Sequence, residues 1–134
     1  MGAKTLMLND KESKSILKKI GLNHSRLNIV NPLSYLKFNF LVENSLAVIT
    51  DSGGITEETS YLNIPCITLR DNTERPETIT LGTNELIGTN PQQLRPYLER
   101  LFAGEWKLGQ EIPLWDGHTA TRIVKRLNTI ADNR

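Results

Sequence analysis

The stretch TDSGGITEETS, residues 50–60, decides how the chain is read. It continues the run SLAVIT at 45–50, whose four consecutive apolar residues predict a central strand of a parallel sheet. Ser52-Gly53-Gly54 then predicts a tight turn into a helix with an inward stripe of Ile55, Thr59 and Leu62. Glycines at 53 and 54 let a ligand come close to the backbone with no Cβ in the way. Free N–H groups and the dipole at a helix start favour a phosphate oxygen, and the Ser52 hydroxyl can donate one more bond. Glu57 and Glu58 follow so closely that they should repel such an anion. A carboxylate one turn along, at Glu58, suits the paired hydroxyls of a ribose, because both its oxygens accept. The ligand that reconciles the two halves is a nucleotide. The plainer alternative is a chain reversal followed by acidic residues that stabilise the helix dipole. Glu57, rotated about 100° around the helix from Glu58, fits that plainer role.

Outward from this stretch, short apolar runs alternate with helical periodicity, which predicts βα units around a parallel sheet. KTLMLN at 4–9 is a weak first strand. DKESKSILKKIG at 10–21 is a surface helix, with Asp10 at its N-cap and Gly21 as its stop. RLNIVN at 26–31 is the second strand, broken by Pro32. From Ser34 to Glu43 the spacing of Leu36, Phe40 and Leu41 predicts a helix capped by Ser34. CITL after Pro65 and NELIG at 84–88 complete the strands. Asn90-Pro91 reads as an N-cap with proline at the first helical position. Leu94, Leu98 and Leu101 then face the core, and Pro96 makes that helix kink or begin late. Residues 119–131 form the most regular helix, with Ala120, Ile123, Val124, Leu127 and Ile130 as its buried stripe.

The bulk properties narrow the function classes. With 134 residues, 38% of them hydrophobic and 23% charged, the chain fits one globular domain spanning 1–134. Its net charge of +1 supplies no general field for nucleic acid or an anionic membrane, so any anion must be held locally. Lys14, Lys18 and Lys19 read as the solvated face of a helix. Cys66 is the single cysteine, inside PCITL, and reads as a buried inert thiol. His24 and His118 are far apart in sequence with no good ligands beside them, so no metal site is legible. No apolar run approaches the ~20 residues of a membrane span, and the expected location is the cytoplasm.

A second polar cluster, RDNTERPET at 70–78, carries more charge than a plain turn needs. Arg75 precedes Pro76 and is therefore held out of the helical region. Its guanidinium suits a diphosphate or a sugar carbonyl; the alternative is an internal Arg–Glu pair that organises the loop.

TDSGGITEE at 50–58 followed by NIPCITLRDNTERPETITLGTNELIGTN at 63–90 resembles the C-terminal half of the non-hydrolysing UDP-N-acetylglucosamine 2-epimerases. NPLSYLKF at 31–38 and LWDGHTATRIVKRL at 114–127 continue the similarity, which is weak over 1–27. The resemblance implies a Rossmann-like three-layer domain with a mostly parallel sheet, the C-terminal half of a GT-B fold that begins one βα unit late. It implies that Ser52, Gly53 and Gly54 bind the diphosphate of UDP, that Glu58 binds the ribose, that Arg75 contacts the nucleotide sugar and that Phe38 lies near the uracil. Leu33 stands where some relatives carry a polar residue. The implied ligand is UDP or a UDP-N-acetylhexosamine, with no cofactor and no metal. The implied reaction inverts C2 through elimination of UDP to a glycal and re-addition on the other face.

The resemblance implies that the acid–base carboxylates belong to an N-terminal half and the catalytic histidine to the hinge segment ahead of this domain, both expected to be absent from this chain. No residue here is assigned a catalytic role, and the chain alone is expected to be inactive. A sheet shortened at its start also predicts self-association or a rearrangement of residues 1–25. Two other readings stand beside the epimerase half: the donor-binding half of a GT-B glycosyltransferase, and a non-catalytic nucleotide-binding or assembly module.

Overall fold

The computed structural model describes residues 24–132, together with 19, 21 and the strand at 5–8. Two compact units divide it, 1–41 and 42–134. In the first, β1 (Thr5–Leu8) pairs in parallel with β2 (Leu27–Val30), with Thr5 opposite Leu27 and Leu8 opposite Val30. Parallel neighbours need a crossover connection; the helix expected at 10–21 lies outside the described residues apart from Lys19 and Gly21, as does most of the segment expected to rearrange. Gly21 itself has φ +65°, in the left-handed region that favours glycine. After Pro32, α1 (Tyr35–Glu43) starts where the Ser34 carbonyl accepts the Phe38 N–H at 2.9 Å. Leu36 and Phe40 on it are exposed, and Phe38 is half-buried.

The second unit is built on three parallel strands, β3 (Val48–Thr50), β4 (Cys66–Thr68) and β5 (Asn84–Leu86), in that spatial order. Ile49 lies opposite Ile67, which lies opposite Glu85. The expectation that SLAVIT holds the central position is corrected within this sheet: β3 flanks it, and β4 is the strand paired on both sides. Every residue of β4 is buried, whereas Ile49 on β3 is exposed. Apolar content predicts that a segment is a strand; which neighbours it acquires depends on long-range pairing.

Helix α2 (Gly53–Tyr61) follows β3, and the short α3 (Pro76–Thr80) precedes β5. The buried face of α2 is Thr56, Thr59 and Ser60, one residue round from the expected stripe of Ile55, Thr59 and Leu62. Close packing explains the shift. A Cβ on Gly82 would lie 2.3 Å from Ser60 Oγ and 2.6 Å from the Thr78 carbonyl oxygen, so only small side chains fit at this contact. Thr56 Oγ1 donates to the Gly53 carbonyl at 2.6 Å and Thr59 Oγ1 to that of Ile55 at 3.0 Å. Such back-bonding satisfies the hydroxyls and removes most of the cost of burying them.

Beyond β5, Asn90 Oδ1 accepts the Gln92 N–H at 3.0 Å and opens a single 3-10 turn, Pro91–Gln93. Helix α4 (Leu94–Phe102) follows, so Pro96 falls in the first turn, where its missing N–H leaves no bond unmade. Leu101 is buried, and Leu94 and Leu98 are half-buried. The segment after α4 is fastened back to the sheet. Trp106 Nε1 donates to the Thr83 carbonyl at 2.8 Å, Lys107 Nζ to those of Ile79 at 2.7 Å and of Asn84, and the Gly109 N–H to Asn63 Oδ1 at 2.8 Å.

Helix α5 (Thr119–Asp132) is present as its periodicity predicts, but the expected burial of its stripe is not. Ile123, Val124, Leu127 and Ile130 are 54%, 56%, 59% and 45% exposed, and none of its residues is buried among those described. Amphipathic spacing specifies a helix with an apolar face; burial needs a second surface as well. The start of α5 is tied down by Arg122, whose Nη1 meets both oxygens of Asp116 at 2.9 and 2.8 Å while Nη2 donates to the Leu114 carbonyl at 2.9 Å.

Two outcomes test this packing. Gly82→Ala should destabilise the chain by about 1–3 kcal/mol in urea unfolding, because the added methyl meets backbone as well as side chain. The Asp116 carboxyl, held by the Arg122 guanidinium and the His118 N–H, is lowered from 3.8 to about 2. A depressed carboxyl contributes stability in full above its unfolded value near 3.8 and loses it as pH falls through about 2. Carboxyl carbon shifts should therefore titrate near 2 in the parent chain and move back toward 3.8 in Arg122→Gln.

Candidate functional site

The site forms where the C-terminal ends of β3 and β4 turn toward their following segments, the usual place for ligands of parallel sheets. Ser52 is the N-cap of α2, with extended backbone (φ −86°, ψ 125°), and its hydroxyl makes no capping bond. Its N–H, by contrast, donates to Thr50 Oγ1 at 3.0 Å. The amides left for a ligand are therefore those of the first helical turn, Gly53 and Gly54, which have no intrahelical acceptor. Gly54 has no positive φ, and a Cβ built on it meets nothing within 4 Å. Neither its backbone conformation nor packing against the described residues calls for glycine there. What its missing side chain leaves is open space directly over the helix N-terminus.

Arg70, two residues beyond the end of β4, reaches this place. Its Nη1 lies 3.4 Å from where a Cβ of Gly53 would be, and its backbone is fixed by the Gly88 N–H, which donates to the Arg70 carbonyl at 3.0 Å. Nη2 donates to Asn72 Oδ1 at 3.4 Å. A guanidinium thus stands beside the positive end of α2. Sequence reading had Arg70 only as one charge among several in a polar loop; the signal that could have singled it out is its place immediately past a buried strand.

Both glutamates lie beyond the first turn of α2, so neither is placed to act on the helix dipole. Glu57 instead accepts a hydrogen bond from Arg75 Nε, forming an ion pair across 18 residues of sequence. This is the internal Arg–Glu pair, and it also links the 70–78 loop to α2. Hydrogen bonding and charge from Glu57, with smaller contributions from Glu77 and Glu74, raise the Arg75 pKa and keep the guanidinium ionised. Arg75 caps α3 with non-helical backbone (φ −128°, ψ 65°), its N–H bonded to Thr73 Oγ1 at 3.0 Å. Glu58, half-exposed, has a carboxylate with no hydrogen-bonding or ion-pair partner among the described residues.

The second unit therefore gathers Ser52, Gly53, Gly54 and Glu58 on one helix and ties Arg75 to it through Glu57. Phe38 belongs to the unit at 1–41, on α1. Cys66 is fully buried in β4, and burial pushes its thiol pKa up, as expected of an inert thiol. Among the described residues no helix is long and apolar enough to cross a membrane.

Comparison with known proteins gives this geometry a family. The model of the family described as UDP-N-acetylglucosamine 2-epimerase matches residues 4–128. The UDP-N-acetylglucosamine 2-epimerase of Methanocaldococcus jannaschii is 39% identical over 120 residues, which cover 86% of this chain and 32% of that protein. The Campylobacter jejuni enzyme of the same name is 40% identical over 124 residues, covering 90% and 32%. Among solved structures, the M. jannaschii epimerase in complex with UDP-GlcNAc and UDP superposes with a TM-score of 0.76 at 35% identity, covering 94% of this chain and 36% of that one. The S. aureus MnaA–UDP co-structure gives 0.78 at 31% identity, covering 96% and 36%. The chain thus spans about a third of the length of the relatives it matches. Its parallel strands and flanking helices are the Rossmann-like part of their GT-B-like fold, and the chain belongs to the UDP-N-acetylglucosamine 2-epimerase family.

Proposed function

We propose that this chain holds the UDP moiety of UDP-N-acetylglucosamine as the nucleotide-binding part of a non-hydrolysing 2-epimerase. The observation that carries the reading is the open, glycine-walled N-terminus of α2 with the Arg70 guanidinium beside it. The Gly53 and Gly54 amides, the Ser52 hydroxyl and Arg70 take the diphosphate. Glu58, whose carboxylate no described residue occupies, takes the ribose hydroxyls. Arg75, on the loop tied to α2, reaches the nucleotide sugar, and Phe38 stands beside the uracil. All 134 residues act in this reading as one nucleotide-binding domain.

The chemistry gives the diphosphate contacts their purpose. Elimination removes the C2 proton and releases UDP from C1, leaving a glycal. Re-addition of UDP at C1 with protonation of C2 from the other face completes the inversion. UDP is a leaving group in the first half and a nucleophile in the second, so it must stay in place between them. Donors aimed at the departing phosphate stabilise its developing charge as well as the bound complex. The proton transfers at C2 are assigned in this reading to an N-terminal partner domain, because no residue here is proposed as their acid or base.

UDP should bind the chain in calorimetric titration. Glu58→Gln should weaken that binding about tenfold, as lost charge-assisted hydrogen bonds do, and Arg70→Ala by at least as much. Absence of any UDP-dependent heat would defeat the assignment. Incubated alone with UDP-N-acetylglucosamine in deuterated water, the chain should introduce no deuterium at C2; incorporation above a matched blank would show that it carries its own acid–base groups.

A further inference from the structure

Beneath the 70–78 loop runs a buried polar path that the nucleotide contacts leave unexplained. Asn84, on β5, is fully buried. Its Oδ1 accepts from Thr68 Oγ1 of β4 at 2.6 Å, and its Nδ2 donates to Thr78 Oγ1 of α3 at 3.3 Å. Thr78 Oγ1 donates in turn to the Arg75 carbonyl at 2.7 Å, which also accepts the Thr78 N–H at 3.0 Å. Thr68, Thr78 and Asn84 are 1%, 0% and 0% exposed.

We infer that Asn84 is a positioning residue for the nucleotide site, its carboxamide carrying a hydrogen-bonded relay from β4 to the Arg75 backbone and so fixing where that guanidinium stands. The inference rests on the reading of Arg75 as a nucleotide-sugar contact. Asparagine is a poor strand residue, and burying its carboxamide is costly unless every bond is made. Cys66, its register partner, and Ile67 show that apolar side chains fill the neighbouring positions. What the carboxamide achieves that a valine could not is a grip on α3. That helix has five residues, too few to hold its own shape in water. Its first turn is instead held from below through Thr78, while the Arg75 side chain remains exposed above, paired with Glu57. A cation on a pre-set stem loses less freedom when an anion arrives.

The test measures UDP affinity by calorimetry from about pH 5 to about pH 9, a range across which a buried carboxyl can ionise. In Asn84→Asp the protonated carboxyl can donate to Thr78 Oγ1 as the amide does, and the ionised form cannot. Burial raises the midpoint of the introduced group. Among the described residues, Cys66 opposite and Lys107, whose ammonium sits on the Asn84 carbonyl with Glu85 beside it, are the titratable groups that flank the position. The ratio of variant to parent Kd cancels the titration of UDP itself. It should be near one at low pH and rise about tenfold as the carboxyl ionises. In an Arg75→Ala background the ratio should stay flat, because the effect is transmitted through Arg75. Thr78→Val should weaken UDP as the ionised variant does, and Thr78→Ser, which keeps the hydroxyl, should not. This pair decides the matter if Asn84→Asp unfolds at high pH. A ratio independent of pH in a folded chain, or equal affinities for the Val and Ser variants, overturns the inference while leaving UDP binding intact. A parent chain that does not bind UDP removes the nucleotide reading and the inference with it.

Discussion

The second unit depends on how closely α2 can approach the turn between α3 and β5. At Gly82 the approach leaves no room for even one carbon, with Ser60 and the Thr78 carbonyl already inside contact distance of a hypothetical Cβ. That constraint fixes the composition of the α2 face. Threonines and a serine pack there instead of the isoleucine and leucine nearby, and the threonine hydroxyls bond back to helix carbonyls. It also sets where the helix points. With α2 pressed against this turn, its N-terminus opens beside Arg70 and its second turn faces Arg75.

Charge is arranged on the same scaffold. A chain of net charge +1 attracts no anion from a distance. The Arg70 guanidinium stands beside the N-terminus of α2, so positive charge and a helix dipole meet at close range, where interactions strengthen as water is displaced. The arrangement also separates competing charges. Glu57 is paired with Arg75, while the Glu58 carboxylate has no hydrogen-bonding or ion-pair partner among the described residues. The two neighbouring carboxylates part in this way because adjacent helix positions point in different directions.

Most of the fold could be read from local pattern. Alternating strands and helices, the Asn90-Pro91 helix entry, the late start forced by Pro96 and the regular helix at the C-terminal end all depend on neighbours within a few residues. The Ser-Gly-Gly turn and the RDNTERPET segment were equally legible as polar segments at strand ends, although the short α3 that begins within the second was not. The misreadings share one cause. SLAVIT has more apolar residues than CITL, yet CITL is the strand paired on both sides. Ile55 and Leu62 are more apolar than Thr56 and Ser60, yet the small residues are buried. The stripe of α5 has ideal spacing and stays exposed. Hydrophobicity measures the gain from burial and says nothing about which surface arrives to cover a residue, or how much room it leaves.

The amino-acid sequence by itself determined most of the element types, the Ser-Gly-Gly turn at residues 52–54 and the family, because each is carried by residues adjacent in the chain. Tertiary structure decided which charges meet. The partnership of Glu57 with Arg75 spans 18 residues, the placement of Arg70 over Gly53 spans 17, and the Thr68–Asn84 bond spans 16. No periodicity or spacing encodes such pairings; they follow from the register of three parallel strands and the close packing of one helix on its neighbour.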